Sequence, residues 1–263
     1  HNVTDASPLR LVQDGGLAVL TISRPPLNLW GREMWDALPA MMARIAANPP
    51  RALLIRAEGR VVTAGVDVEN FRGLDVQSSR QLWDEQMVPL HALEALPCPT
   101  IFAAHALCLT AGMELALGCD LVLAARSAQF GLVERRVGLT PSNGGVQRLA
   151  AAVGINRARD LIFTGDLYDA QTMYEWGFVT RIFDDEGFDQ AALAFAAEMA
   201  SSATLAHAAT KDILRSFVRG GVPEADREMA EISSQLFLTD DLNNAVAAFL
   251  ENGPRHKATF EGR

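Results

Sequence analysis

Apolar and polar positions along this chain fall into two alternating rhythms. Residues 9–13 and 17–23 are apolar-rich segments on either side of Asp14-Gly15-Gly16, which predicts a β-hairpin. From Met34 the apolar positions run Met34, Leu38, Met41, Met42 and Ile45, one face of a helix that Pro39 can kink and Pro49-Pro50 closes. Ala52–Ile55 is a short apolar run of strand type, followed by a loop punctuated by Gly59 and Gly65. A helix is predicted over 78–95, bent at Pro89 and ended before Pro97 and Pro99. Then come a strand at Thr100–Ala103, a helix over 110–119 and a strand at Leu121–Ala124. Helices follow at Arg157–Phe163, Ala170–Trp176 and 188–202, with a short strand at Val179–Ile182 between them.

One segment needs separate treatment. Thr100 to Cys119 is twenty largely apolar residues, long enough to span a bilayer. It carries His105 and Glu114, however, and ionisable groups at membrane depth are costly. It reads as a buried strand, a turn and a buried helix, so no membrane span is predicted. The alternation of strand and helix through the first part of the chain points to an α/β layering with short parallel strands. From Leu205 to Glu251 the pattern is almost wholly helical, broken only by Gly220-Gly221 and Pro223. Such a tail packs over its own core or against a neighbouring subunit. The expected division is therefore a core over residues 1–200 and a helical C-terminal region over 201–263 that takes part in oligomer contacts.

Composition narrows the function classes. With 263 residues and 49% apolar content, the chain can bury a core without disulfides or metal. A formal charge of −9 argues against binding nucleic acid through phosphate neutralisation. Only Lys211 and Lys257 of the 23 basic residues are lysines. Cys98, Cys108 and Cys119 are odd in number, contain no C-x-x-C and sit in apolar stretches, as expected of reduced, buried thiols in a cytoplasmic protein. The start, His1-Asn2-Val3-Thr4, shows no signal pattern. There is no P-loop, no G-x-G-x-x-G after a strand and no G-x-S-x-G elbow. The five histidines lack ligand spacing, so no metal site is predicted.

What remains is a pair of glutamates in unusual settings. Glu114 lies in the nearly uniform apolar stretch Thr110–Leu117, where a carboxyl is pushed toward the raised pKa of a general acid or base. The alternative is a first-turn acid serving the helix dipole; a capping box from Thr110 would want the Glu at 113. Glu134 follows Val133 and precedes Arg135-Arg136, so its alternative is a solvated acid paired with an arginine. The small-residue turn Leu109-Thr110-Ala111-Gly112 enters a helix whose first N–H groups have no intrahelical partner. Thr63-Ala64-Gly65-Val66-Asp67 offers a second such donor. Two donors and two carboxyls would polarise a carbonyl and move protons beside it, provided that they meet in space.

These same segments resemble the crotonase superfamily, also called the enoyl-CoA hydratase/isomerase family. Ile22-Ser23-Arg24-Pro25-Pro26-Leu27-Asn28 is similar to its opening Arg-Pro…Asn stretch. Ala52–Arg56 followed by Thr63-Ala64-Gly65-Val66-Asp67-Val68 is similar to its strand and Ser-Ala-Gly-x-Asp-Leu. Pro99 through Glu114 to Asp120 resembles its second oxyanion loop and helix, and Ala128…Glu134…Gly138…Gly144-Gly145…Leu149 the segment with its second acid. Phe249…Lys257-Ala258-Thr259-Phe260 resembles its C-terminal Lys-x-x-Phe. The resemblance spans about residues 9–260. It implies a spiral of ββα units with a helical C-terminal region, assembled as a homotrimer or hexamer. It implies Glu114 and Glu134 as the catalytic acids, and backbone N–H groups of Val66 and Ala111 as the oxyanion hole. Leu27, Ala64, Asp67 and Val68 would lie along CoA, with Lys257 and Phe260 at its nucleotide end.

The activity implied is hydration of an enoyl-CoA thioester, with acyl-CoA as the substrate and no cofactor beyond its CoA. An enoyl-CoA double-bond isomerase is the alternative on the same scaffold. A non-catalytic acyl-CoA-binding or regulatory protein is the alternative of another class. The chain departs from the family pattern in three places. Thr110 and Ala111 stand where hydratases commonly carry glycine, Val133 replaces the usual Pro, and Val66 is bulkier than the common Ala.

Overall fold

In the computed structural model, which describes residues 7–263, strands β1 (Leu9–Asp14) and β2 (Leu17–Ile22) pair antiparallel, with Leu9 opposite Ile22 and Asp14 opposite Leu17. The start read above at residues 1–4 lies outside the described residues. Helix α1 (Arg32–Ala47) buries Met34, Leu38, Met42 and Ile45, the predicted face, with Pro39 inside it. Strand β3 (Ala52–Ala57) pairs parallel with β2. A short 3₁₀ turn at Val68–Phe71 leads to α2 (Val76–Glu94). That helix begins two residues before the predicted start because Asp75 and Ser78 form a reciprocal capping box.

Strand β4 (Thr100–Ala104), the two-residue β5 (Cys108–Leu109) and α3 (Ala111–Leu117) occupy the apolar stretch that had to be weighed as a membrane span. Among the described residues no helix is long and apolar enough to cross a membrane. Then come β6 (Leu121–Ala125), β7 (Gln129–Gly131), a 3₁₀ turn at Glu134–Val137, α4 (Gly145–Val153), α5 (Ile155–Thr164), β8 (Tyr168–Asp169) and α6 (Ala170–Glu175). Strand β9 (Arg181–Phe183), α7 (Phe188–Ala200), α8 (Thr204–Ser234) and α9 (Asp240–Asn252) complete the chain. The helical reading of the C-terminal stretch holds. The break in α8 falls at Gly220 and Gly221, which leave helical geometry as predicted. Beyond α9 the tail is pinned where Asp241 accepts from the Glu261 and Gly262 N–H groups, both at 2.8 Å.

The main sheet runs β1-β2-β3-β4-β6-β9 and is parallel from β2 onward. A crossover sheet buried on both faces has no solvent face to mark with polar residues, so its strands read as continuous apolar runs. Alternation sorts them all the same. Leu53, Ile55, Phe102, Ala104, Val122 and Ala124 face the core shared with α1 and α2, whereas Leu54, Ile101, Ala103, Leu123 and Ala125 face Phe188, Ala192 and Ala196 of α7. The smaller sheet, β5-β7-β8, was not anticipated. Its strands of two or three residues are too short to show a period. Helix α4 was also missed, because Gly144-Gly145 at its start reads as a breaker.

The loop after β3 is tied to the smaller sheet. Thr63 bridges Cys108 in parallel, and Thr63 Oγ1 donates to the Asn28 carbonyl at 2.7 Å while accepting the Gly65 N–H at 3.0 Å. Asn28 is itself fixed, its Oδ1 accepting from the Arg24 N–H and its Nδ2 donating to the Glu58 and Val61 carbonyls. Thr63 therefore has no freedom to rotate away from its neighbour Gly112, where a Cβ would stand 2.4 Å from Thr63 Cγ2. Gly112→Ala should lower stability by about 1–3 kcal/mol, the usual cost of overpacking a fixed site. A urea midpoint equal to that of the parent would show that the two loops are not held this tightly.

Candidate active site

Helix α3 is only seven residues long and almost entirely buried, and it carries Glu114 into the interior at 2% exposure. Neither a capping box nor dipole pairing at the surface accounts for this carboxyl. Its Oε2 accepts two backbone N–H bonds, from Asn143 at 2.8 Å and Gly145 at 2.9 Å. A Cβ at Gly145 would lie 2.8 Å from that oxygen, so only glycine lets the turn close this far on the carboxylate. Arg148, one turn further along α4, forms a two-pronged pair with Glu94 at 2.6 and 2.8 Å and adds positive potential. Burial still dominates. It pushes the Glu114 carboxyl up to about 7, against the opposing pull of the two N–H groups and Arg148.

Glu134 opens the 3₁₀ turn after β7 and lines the same cavity, of about 170 Å³, as Glu114. The expected alternative, a pairing with Arg135 or Arg136, is not what the structure shows. Arg135 donates instead to the Phe163 and Thr164 carbonyls, and Glu134 Oε2 is buried with no hydrogen-bond partner among the described residues. Burial and then the Glu114 charge push it up to about 8. The two carboxyls titrate as a pair. Glu114, with two N–H donors and a nearby guanidinium, is the better holder of negative charge. The proton that the pair retains therefore belongs on Glu134.

The two predicted donor loops come together. From the bridge at Thr63 and Cys108, each chain runs three residues onward, one to Val66 and the other to Ala111. The N–H groups of Val66 and Ala111 have no acceptor among the described residues, while their neighbours are bonded: Asp67 N–H to the Trp30 carbonyl, Thr110 N–H to the Gly131 carbonyl. A Cβ on Gly65 would come within 3.3 Å of Thr110 Oγ1, so the loops are in contact. Two free N–H donors and two carboxyls that differ in their hydrogen-bond support can polarise a carbonyl and exchange protons on the carbons next to it.

The remaining sequence-predicted residues divide into three groups. Ala64 and Val68 line the central cavity. Leu27 and Asp67 line a neighbouring groove of about 570 Å³ together with Arg24, Arg32 and Asn70. Lys257 is exposed and Phe260 half-buried on the C-terminal tail, and within one chain neither lines either cavity. The other lysine, Lys211, is committed to structure, holding Asp120 and the Cys98 carbonyl, each at 2.8 Å.

Sequence reading missed the clamp on Glu114. The Asn-Gly-Gly turn signal at 143–145 was visible, but its target lies 29 residues away and could not be read. It also missed Gln86. Gln86 Oε1, Asn143 Oδ1 and the indole nitrogens of Trp30 and Trp35 are buried without partners around a void of about 20 Å³ beside Glu114. A space of that size is enough for one water. Thr110, too, is 5% exposed with an unpartnered Oγ1, and it holds φ 49°, a left-handed value that costs a β-branched residue about 1–3 kcal/mol.

A family model described as enoyl-CoA hydratase/isomerase matches residues 13–263. A probable enoyl-CoA hydratase of Bacillus subtilis is 30% identical over 257 residues, covering 97% of this chain and 98% of its own. A short-chain-enoyl-CoA hydratase of Clostridium acetobutylicum is 28% identical over 244 residues, covering 92% and 94%. The crystal structure of enoyl-CoA hydratase subunit I from Geobacillus kaustophilus superposes with a TM-score of 0.89 at 28% identity, covering 97% of this chain and 98% of that one. The layered α/β core and helical C-terminal region are thus those of the similar solved structure, as the resemblance implied.

Both carboxyls bind their proton more tightly in the folded chain than at the ordinary value of 4.5. The native state therefore holds more protons than the unfolded one above pH 4.5, and stability falls as pH rises through 7 and 8. Glu134→Gln keeps the shape and removes the charge. It should melt at a higher temperature than the parent at pH 8.5 and at about the same temperature at pH 5, by calorimetry. A difference that does not change with pH would mean that Glu134 is not strained by ionisation.

Proposed function

The chain belongs to the enoyl-CoA hydratase/isomerase family, a family of enzymes, and from that premise we propose that it adds water across the α,β double bond of an enoyl-CoA thioester. The observation that carries this reading is a pair of buried carboxyls in one cavity, Glu114 held by two backbone N–H groups and Glu134 Oε2 by none, beside two unpaired N–H groups. In the proposed reaction the thioester oxygen accepts hydrogen bonds from Val66 and Ala111. Ionised Glu114 holds a water, takes one of its protons and lets the oxygen attack Cβ. The π electrons move to the thioester oxygen as an enolate, which the two N–H groups stabilise most strongly as charge builds. The enolate then collapses and Cα takes the proton from Glu134. One proton leaves water, another reaches Cα, and no atom changes its electron count through an outside carrier, so the step calls for no redox group.

On this reading Ala64 and Val68 flank the CoA arm near the thioester, and the groove with Leu27 and Asp67 continues its path. Its arginines, Arg24 and Arg32, are paired with Glu33 and Asp36, so they would have to exchange those partners to meet a phosphate. Lys257 and Phe260 would serve the nucleotide end only in an assembly that brings them to it. A homotrimer or hexamer is supported by the large side chains that α8, α9 and the turn between them leave exposed in one chain, among them Phe217, Phe237, Leu238 and Leu250.

Crotonyl-CoA tests the chemistry directly. The conjugated-thioester absorbance should disappear as the hydroxyacyl product forms. Appearance of a shifted double bond without water uptake would favour the isomerase instead, and tight binding with no turnover a regulatory protein. Glu134→Gln should reduce kcat by about 10²–10⁴, the usual range for one general acid–base group, with acyl-CoA affinity kept. Near-parental turnover in that variant would remove Glu134 from the mechanism. The pH profile of kcat/KM should be narrow. It should fall below about pH 7 as Glu114 takes up a proton, and above about pH 8 as Glu134 loses its own.

A further inference from the structure

Thr110 carries two unfavourable features at one position. Its backbone sits at φ 49°, ψ −116°, where a residue with a branched Cβ is rarely found. Its hydroxyl is buried and has no partner among the described residues, although threonine hydroxyls rotate readily to find one. Strain and an orphaned polar group that coincide beside an active site point to a partner supplied by the substrate.

The position of the hydroxyl says which substrate atom it meets. Thr110 immediately precedes the Ala111 N–H. Its Oγ1 stands 3.3 Å from where a Cβ on Gly65 would be, with its methyl further back at 3.7 Å, and Gly65 immediately precedes the Val66 N–H. The hydroxyl therefore lies buried between the two loops that offer unpaired N–H groups, and Thr110 is one of the residues that line the cavity shared by Glu114 and Glu134. We infer that Thr110 Oγ1–H donates a third hydrogen bond to the thioester oxygen, making this side chain a catalytic residue of the oxyanion hole. The inference rests on the hydration reading above. A donor aimed at that oxygen strengthens as negative charge develops, so its effect falls on kcat more than on KM.

The test uses three variants of the full-length protein: Thr110→Ser keeps the hydroxyl, Thr110→Val keeps the shape without it, and Thr110→Gly removes both the hydroxyl and the backbone strain. Each is assayed with crotonyl-CoA, and each is mixed with a conjugated dienoyl-CoA whose absorbance shifts to the red when its carbonyl is polarised. Val and Gly should lose about 10²-fold in kcat, the low end for one oxyanion donor, with KM changed by no more than a few-fold and a smaller red shift. Ser should retain at least tenfold more kcat than either and most of the shift. Gly should also melt at a higher temperature than the parent, which separates lost chemistry from lost folding. A Gly variant with parental or higher kcat and an undiminished red shift would overturn the inference, because Thr110 would then be an obstruction. The spectral shift also keeps the two readings apart. A parent that polarises the dienoyl-CoA but leaves crotonyl-CoA unhydrated refutes hydration while still testing Thr110.

Discussion

One parallel bridge, Thr63 to Cys108, is the constraint on which the rest of the site depends. It ties the loop that follows β3 to β5 of the small second sheet, and it fixes the turn that ends at Val66 beside the turn that ends at Ala111. Around it most backbone groups are used in holding the loops. Thr63 is tied to Asn28, Asn28 to three further backbone groups, and Trp30 exchanges bonds with Gly65 and Asp67. Against so complete an accounting of backbone bonds, the unpaired N–H groups of Val66 and Ala111 stand out. On the proposed reading, such a frame with two open donors is preorganised for an oxygen that gains charge.

The same frame fixes the electrostatics. Short, apolar α3 can bury Glu114 only because the turn before α4 returns to wrap its Oε2, and that turn closes only because residue 145 lacks a side chain. Glu134 receives no comparable support. Two carboxyls of identical chemistry thus acquire different proton affinities from their surroundings alone, one stabilised by two backbone N–H groups and a guanidinium, the other only by its own backbone N–H and opposed by the first.

Much of this was legible in the sequence, for a physical reason. The long periodic elements, α1, α2, the parallel strands and the C-terminal helices, advertise themselves because a buried face repeats. Glu114 was legible because a charge in a run as apolar as Thr110–Leu117 has no bland place to go. Glu134 was less so, since Arg135 and Arg136 beside it suggest a surface pair, whereas the partners of Arg135 lie 28 and 29 residues onward. The clamp from Asn143 and Gly145, the void lined by Gln86, and the small sheet were not legible at all. Each depends on a backbone atom or a two-residue strand brought from a distant part of the chain, and neither leaves a period.

The arrangement between Glu134 and Gly145 has a further consequence. At one end of this stretch is the half-buried Glu134, the proposed proton carrier, and at the other the clamp on Glu114 in the interior. Between them Val137, Leu139 and Thr140 line the cavity, and Val137 is more than half exposed. Fixed ends with a free middle divide heritable change into two kinds. Substitutions in the middle can reshape the chamber for another chain length or branching pattern, while the proton inventory at either end stays as it was. A scaffold wired this way can diversify in what it accepts long before it must alter what it does.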